Sequence, residues 1–99
     1  MNIAKMMKDL QNMQSQMQEK VDALEVEGTA GGGVVTARMN GKKELLALTL
    51  TEDAVTPDDL ELMQDLIVAA INEAGRKVDG EVQGMTQGLA GGLNIPGLG

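Results

Sequence analysis

The chain has 99 residues, enough for one domain and not for two. It contains no Phe, Tyr, Trp, His or Cys. That excludes imidazole bases, thiol nucleophiles, disulfides and the usual zinc sites, and leaves Leu, Val, Ile and eight Met to fill a thin core. The formal net charge is −7, from 15 acidic and 8 basic residues, a balance that favours solubility and opposes a broad anion-binding surface.

Residues 3–25 predict one long helix. Ile3, Leu10, Met17 and Leu24 recur every seven residues, and Met6 and Met13 fill the intervening position until Lys20 breaks that series. This is an a/d seam over three heptads in a stretch without Gly or Pro. At 1.5 Å per residue such a helix is about 35 Å long. No long apolar run follows the N-terminal charges, so neither a signal peptide nor a membrane span is expected, and the cytoplasm is the expected compartment.

Residues 26–51 predict β structure. Val26 begins a short strand that the Gly28 and Gly31–Gly33 cluster interrupts. Val34–Met39 is β-branched and alternating, Asn40-Gly41 predicts a two-residue type I′ turn, and Leu45–Thr51 is the return strand. Pairing across that turn places Val35, Ala37 and Met39 on one apolar face with Leu46, Leu48 and Leu50. The other face takes Thr36, Arg38, Lys43, Leu45, Ala47 and Thr49, where Leu45 and Ala47 are too apolar for a fully wet surface.

A second helix is expected from Thr56 as N-cap and Pro57 at the first helical position, with Asp58 and Asp59 near its positive end. Leu60, Met63, Ile67, Ala70, Ile71, Ala74 and Val78 form its apolar stripe, and Val82, Met85 and Leu89 continue the phase. Gly80, Gly84, Gly88 and Gly92 predict fraying, with a flexible Gly-rich tail at 90–99 after a single domain at 1–89.

The expected class is therefore α+β: a long N-terminal helix, an antiparallel three-stranded sheet with a hairpin at Asn40-Gly41, and a long C-terminal helix. A seven-residue strand spans only about 23 Å, so the first helix overhangs the sheet. Its Met-rich seam stays wet unless a second chain meets it. This predicts a homodimer whose contacts include Met6, Leu10, Met13, Met17, Leu45 and Ala47.

Catalytic chemistry is not expected. Ser15 is the only serine and has no basic partner nearby in sequence, and the Asp58, Asp59 and Glu61 group sits where a helix start recruits acids. The glycine cluster fails as a phosphate cradle. A P-loop ending at Gly41-Lys42 would need Gly at 36 and Ser or Thr at 43, where Thr36 and Lys43 stand. A strand also follows the glycines, where a phosphate loop needs a helix N-terminus. No cofactor, metal or small-molecule substrate is expected, and the glycines read as a bend between strands.

The basic residues are more informative. Arg76 and Lys77 read as complements to a helix C-terminus. Lys5 and Lys8 lie in the first turns of the first helix, the unfavourable end, at a cost of about a few tenths of a kcal/mol each. Arg38, Lys42 and Lys43 cluster at the hairpin, where they also deter edge-to-edge sheet pairing. In a dimer each set appears twice, and two Lys5/Lys8 pairs on overhanging helices can straddle a DNA duplex and contact phosphates without reading bases. With no aromatic residue available for stacking, single-strand and RNA readout are not expected.

The opening "MMKDLQNMQSQMQEKVDALEVEGTAGGGVV", the "MNG" turn, the "LLALTL" strand and "LELMQDLIVAAINEAGRKV" together resemble the YbaB/EbfC family of nucleoid-associated DNA-binding proteins, over nearly the whole chain. The resemblance implies a bacterial cytoplasmic homodimer with a shared β core and protruding helices. It implies binding to double-stranded DNA, with a capacity to alter its conformation, and roles in nucleoid organisation and gene regulation. By position it places the projecting helices on the segments carrying Lys5, Lys8, Lys20, Arg76 and Lys77, and with the hairpin cations Arg38, Lys42 and Lys43 these are the expected DNA-binding residues. One departure is Leu46-Ala47, where relatives can carry basic residues; with the net charge it lowers the expected affinity. The alternative is a non-enzymatic scaffold that grips a partner helix between Met-lined arms.

Overall fold

The computed structural model describes residues 2–92. Helix α1 spans Ile3–Ala23, strands β1, β2 and β3 span Glu25–Ala30, Val35–Asn40 and Leu45–Leu50, and helix α2 spans Leu60–Gly92. The sheet is antiparallel with order β1-β2-β3. The class, the order of elements and the three strands agree with the sequence expectation.

One face of the sheet carries the core. The registers Val26↔Met39, Gly28↔Ala37 and Ala30↔Val35 align small and medium residues of β1 with the buried positions of β2. Helix α2 lies across β1 and β2 and adds Ala70, Ala74 and Val78. Val35 and Val78 are the largest fully buried side chains, so the centre is built mainly from alanine and glycine. Such small residues let backbones approach closely. At Gly28 a Cβ would overlap the Ala70 carbonyl oxygen and the Ala74 amide, so the helix backbone rests directly on the strand. That close contact, and not a bend, is what Gly28 is for. The turn that follows is made by Gly31, Gly32 and Gly33, all at positive φ (64°, 75° and 98°).

Several expectations about the hairpin and helix ends are corrected. The β2–β3 connection is not a two-residue type I′ turn. The amide of Lys43 donates to the Asn40 carbonyl (3.0 Å), that of Asn40 donates to the Glu44 carbonyl (3.1 Å), and the only positive-φ residue of the loop is Lys43 at 63°. Three residues, Gly41–Lys43, thus form the loop, a turn closed by a left-handed residue. A bulge goes with it: Arg38 pairs with Ala47 but Met39 pairs with Leu45, leaving Leu46 as the extra residue. Leu46 therefore does not join the core face; it and Leu45 are each 44% exposed. Leu48 and Leu50 do pack against the core as expected.

Helix α2 starts at Leu60, later than Thr56-Pro57 suggests. Thr56 opens a turn whose carbonyl accepts from the Asp59 amide (2.8 Å), and the Asp59 carboxylate caps the helix by accepting from the Leu62 amide (3.0 Å). A single 3₁₀ turn at Glu52–Ala54 leads into this segment and buries Ala54. Fraying past Gly80 is not seen: the helix is continuous to Gly92. Of the tail expected at 90–99, residues 90–92 belong to this helix, and residues 93–99 lie outside the described residues.

The two helices are used differently. Helix α1 ends two residues earlier than expected and has no buried residue. It meets the body mainly at β2, so most of its length projects. The radius of gyration is 19.4 Å, against about 13 Å for a compact chain of this size, and the longest dimension is 70 Å.

Candidate nucleic-acid interface

Eight cations were singled out in the sequence, and the fold distributes them over three places. Lys5 and Lys8 lie on the projecting half of α1, with Lys20 in its last turn. At 100° per residue, positions 5 and 8 fall together on the side of α1 opposite the Ile3–Met6–Leu10–Met13–Met17 seam. No acid occupies the first turn of α1; the Asn2 side chain caps it by accepting from the Lys5 amide (3.3 Å). The positive end of the helix dipole and two lysines thus share the tip of the arm.

The second place is the hairpin. Arg38 Nε stands 3.9 Å from Glu25 on the neighbouring strand, Lys42 Nζ 4.0 Å from Asp22 at the end of α1, and Lys43 Nζ 3.2 Å from Asp79 on α2. The loop is ordered by Asn40, whose side-chain oxygen accepts from the Lys42 and Glu44 amides (2.9 and 3.0 Å) and whose amide donates to the Glu44 carboxylate (2.9 Å). That organising role left no signal beyond the Asn-Gly pair itself.

The third place is the middle of α2. Because the helix runs on to Gly92, Arg76 and Lys77 are not at its C-terminus and do not complement its dipole there; the last turn carries no basic residue. Lys77 instead donates to the Glu27 carbonyl (2.7 Å) and lies 3.4 Å from Glu73, tying α2 to β1. Arg76 lines an open pocket of about 280 Å³ with Met39, Lys43, Ile71, Asn72, Gly75 and Asp79.

Four cations are thus engaged in ion pairs, and Lys5, Lys8, Lys20 and Arg76 are in none among the described residues. The engaged pairs are all substantially exposed, and such pairs contribute about 0–1 kcal/mol each, so they yield readily to a competing anion. On the acidic side, Asp59 is occupied as a helix cap. Among the described residues no group of three or more acids is placed to hold a metal ion, and no helix is long and apolar enough to cross a membrane.

Around these cations lies uncovered apolar surface. Ile3, Met6, Met7 and Leu10 on α1 are 50–69% exposed, and Met13 and Met17 are half-buried. Leu45 and Leu46 at the start of β3 are exposed as well, with Ala47 half-buried beside them.

Known proteins share this combination of sequence and fold. The profile described as the YbaB/EbfC DNA-binding family matches residues 1–93. A nucleoid-associated protein of Clostridium novyi is 46% identical over 101 aligned residues, covering 99% of this chain and 89% of the relative. One from Acidobacterium capsulatum is 50% identical over 96 residues, covering 92% and 89%. The crystal structure of an uncharacterised protein from Helicobacter pylori superposes with a TM-score of 0.66 at 24% identity, covering 85% of this chain and 98% of that one, which establishes the shared fold.

Proposed function

The chain belongs to the YbaB/EbfC DNA-binding family, and from that membership we propose that it binds double-stranded DNA as a homodimer, mainly through phosphate contacts. Its roles are nucleoid organisation and regulation of gene expression, in the cytoplasm at the nucleoid, without catalysis; its relatives named nucleoid-associated proteins support that assignment. Within the homodimer the sheet is shared, and the Met6, Leu10, Met13 and Met17 seam packs against its counterpart, with Leu45 and Ala47 contributing at the sheet.

One observation carries the reading beyond the family: α1 exposes a continuous apolar seam on one side and Lys5 and Lys8, free of ion pairs among the described residues, on the other. A partner helix covering the seam leaves the lysines facing outward, two sets per dimer. Lys20 and Arg76 extend this cationic set without disturbing an ion pair, while Arg38, Lys42, Lys43 and Lys77 join it by exchanging weak protein partners for phosphate. The net charge of −7 keeps affinity modest, and the phosphate contacts make it fall with salt, because each one releases condensed counterions.

Duplex binding followed by fluorescence anisotropy across a salt series tests this. The variant Lys5→Glu/Lys8→Glu binds about tenfold or more weakly, and its log–log salt slope is shallower by about 3–4, because a dimer loses up to four phosphate contacts. Absence of binding by the natural protein at low salt and micromolar concentration would refute the DNA reading. An unchanged variant would remove the contacts from α1. A stable monomer by sedimentation at the same concentration overturns the homodimer. Salt-resistant capture of an amphipathic helical peptide, without any duplex binding, would favour a scaffold role instead.

A further inference from the structure

The three-residue loop Gly41–Lys43 touches both helices. Its first residue seats α1: the Gly41 amide donates to the Leu24 carbonyl just past the helix end (3.1 Å), and a Cβ at Gly41 would overlap the Val21 carbonyl oxygen of the last turn. Its second residue, Lys42, reaches Asp22 on the same turn. Its third residue, Lys43, reaches the other way, to Asp79 on α2. The stem of Lys43 lies over the bare backbone of Gly75, where an added Cβ would stand 3.5 Å from Lys43 Cε.

Two features separate this loop from an ordinary connection. Gly41 has no positive φ, so its glycine is required by the helix and not by the turn. Lys43 does have a positive φ (63°), in the left-handed region where glycine is the default and a lysine is strained. Glycine therefore stands where only close approach demands it, and a long side chain stands where the backbone prefers glycine. Elsewhere α1 has no buried residue to fix its direction.

We propose that the Gly41–Lys43 loop is a clasp that sets the direction of the α1 arm relative to α2, with Gly41 and Lys43 as positioning residues. Resting on the DNA-binding reading above, the clasp determines whether Lys5 and Lys8 lie at a fixed span from Arg76 when a duplex is met. A preset span removes the ordering that a swinging arm would undergo on binding, and so raises affinity without adding a contact.

The test is a distance measurement within one chain. The protein has no cysteine, so Ser15→Cys on α1 and Gln83→Cys on α2, both exposed, give unique sites for paired spin labels. Labelled protein is diluted into unlabelled excess so that only distances within a chain are read. The parent shows one narrow distance distribution, and Gly41→Ala shifts or broadens it. Lys43→Gly is the control for folding: it relieves the left-handed strain and retains or raises the melting temperature, yet broadens the distribution. The affinity is read in Gly41→Ala, which keeps every cation in place and weakens duplex binding about threefold to tenfold. A distribution unchanged in Lys43→Gly, or in a folded Gly41→Ala, overturns the clasp. Altered distances with duplex affinity unchanged overturn its consequence for DNA. If the parent binds no duplex, the DNA reading fails by itself, and the distance distributions still decide the clasp.

Discussion

Helices α1 and α2 both carry apolar stripes at helical spacing, yet only α2 is built into the body. The difference lies in the size of the residues. The stripe of α2 is narrowed by Ala70 and Ala74 where it crosses Gly28, so the backbones touch and Val35 and Val78 close the core around them. The stripe of α1 is Ile, Met and Leu throughout, with no residue buried. Large flexible side chains of that kind suit an irregular surface from another chain better than a flat sheet of the same chain. Stability therefore resides in one region and the candidate contacts in the other, and substitutions should separate the two.

Within a single chain the largest effect is expected from Gly28→Ala. A methyl group there displaces the α2 backbone from β1, and overpacking of this kind costs about 1–3 kcal/mol or more. For a chain of this length the melting temperature falls by about 4–8 °C per kcal/mol. Thermal unfolding followed by circular dichroism reads it, and a change below a degree or two would mean that α2 can ride higher without loss.

Next comes the double change Leu10→Ala/Met13→Ala on α1. If the seam faces solvent, the cost is within about 0.5 kcal/mol. If two copies bury it, each site costs about 2 kcal/mol or more, and the melting temperature becomes dependent on protein concentration. Sedimentation and unfolding at several concentrations distinguish these outcomes, so this pair of changes tests whether α1 remains a free arm in solution.

The smallest effect is expected from Asn2→Ala. Removing an N-cap costs about 1 kcal/mol of local helix stability. Because the arm tip has no buried residue among the described ones, faster amide exchange should be confined to the first turn of α1, and the global melting temperature should hardly move. A clear drop in the global midpoint would show that the tip is coupled to the body.

Local chemistry made much of this legible in advance. The heptads of α1, the alternation of β2 and the stripe of α2 announce their elements because periodicity is a property of neighbouring residues. The residues at the element junctions were harder to read. Asp59 caps α2 where Thr56 was the expected cap, because a turn forms first and hands the helix start to the next acid. Leu46 leaves the core face because a bulge, invisible in the spacing, adds one residue to β3. The glycines at 80 and 84 do not interrupt α2, since the apolar phase carried by Val82 and Met85 outlasts their weak helix preference.

For the candidate site, the sequence by itself determined which cations exist, that Lys5 and Lys8 share one side of a helix at its unfavourable end, and that imidazole and thiol chemistry are absent. Those follow from composition and helical geometry alone. Only the tertiary structure decided which cations are already paired, that Arg76 and Lys77 sit in the middle of α2, and that one hairpin loop reaches both helices. Those depend on which backbones come together, and the approach is set by Gly28 and Gly41, whose role is to leave out a side chain and so leaves little pattern to read.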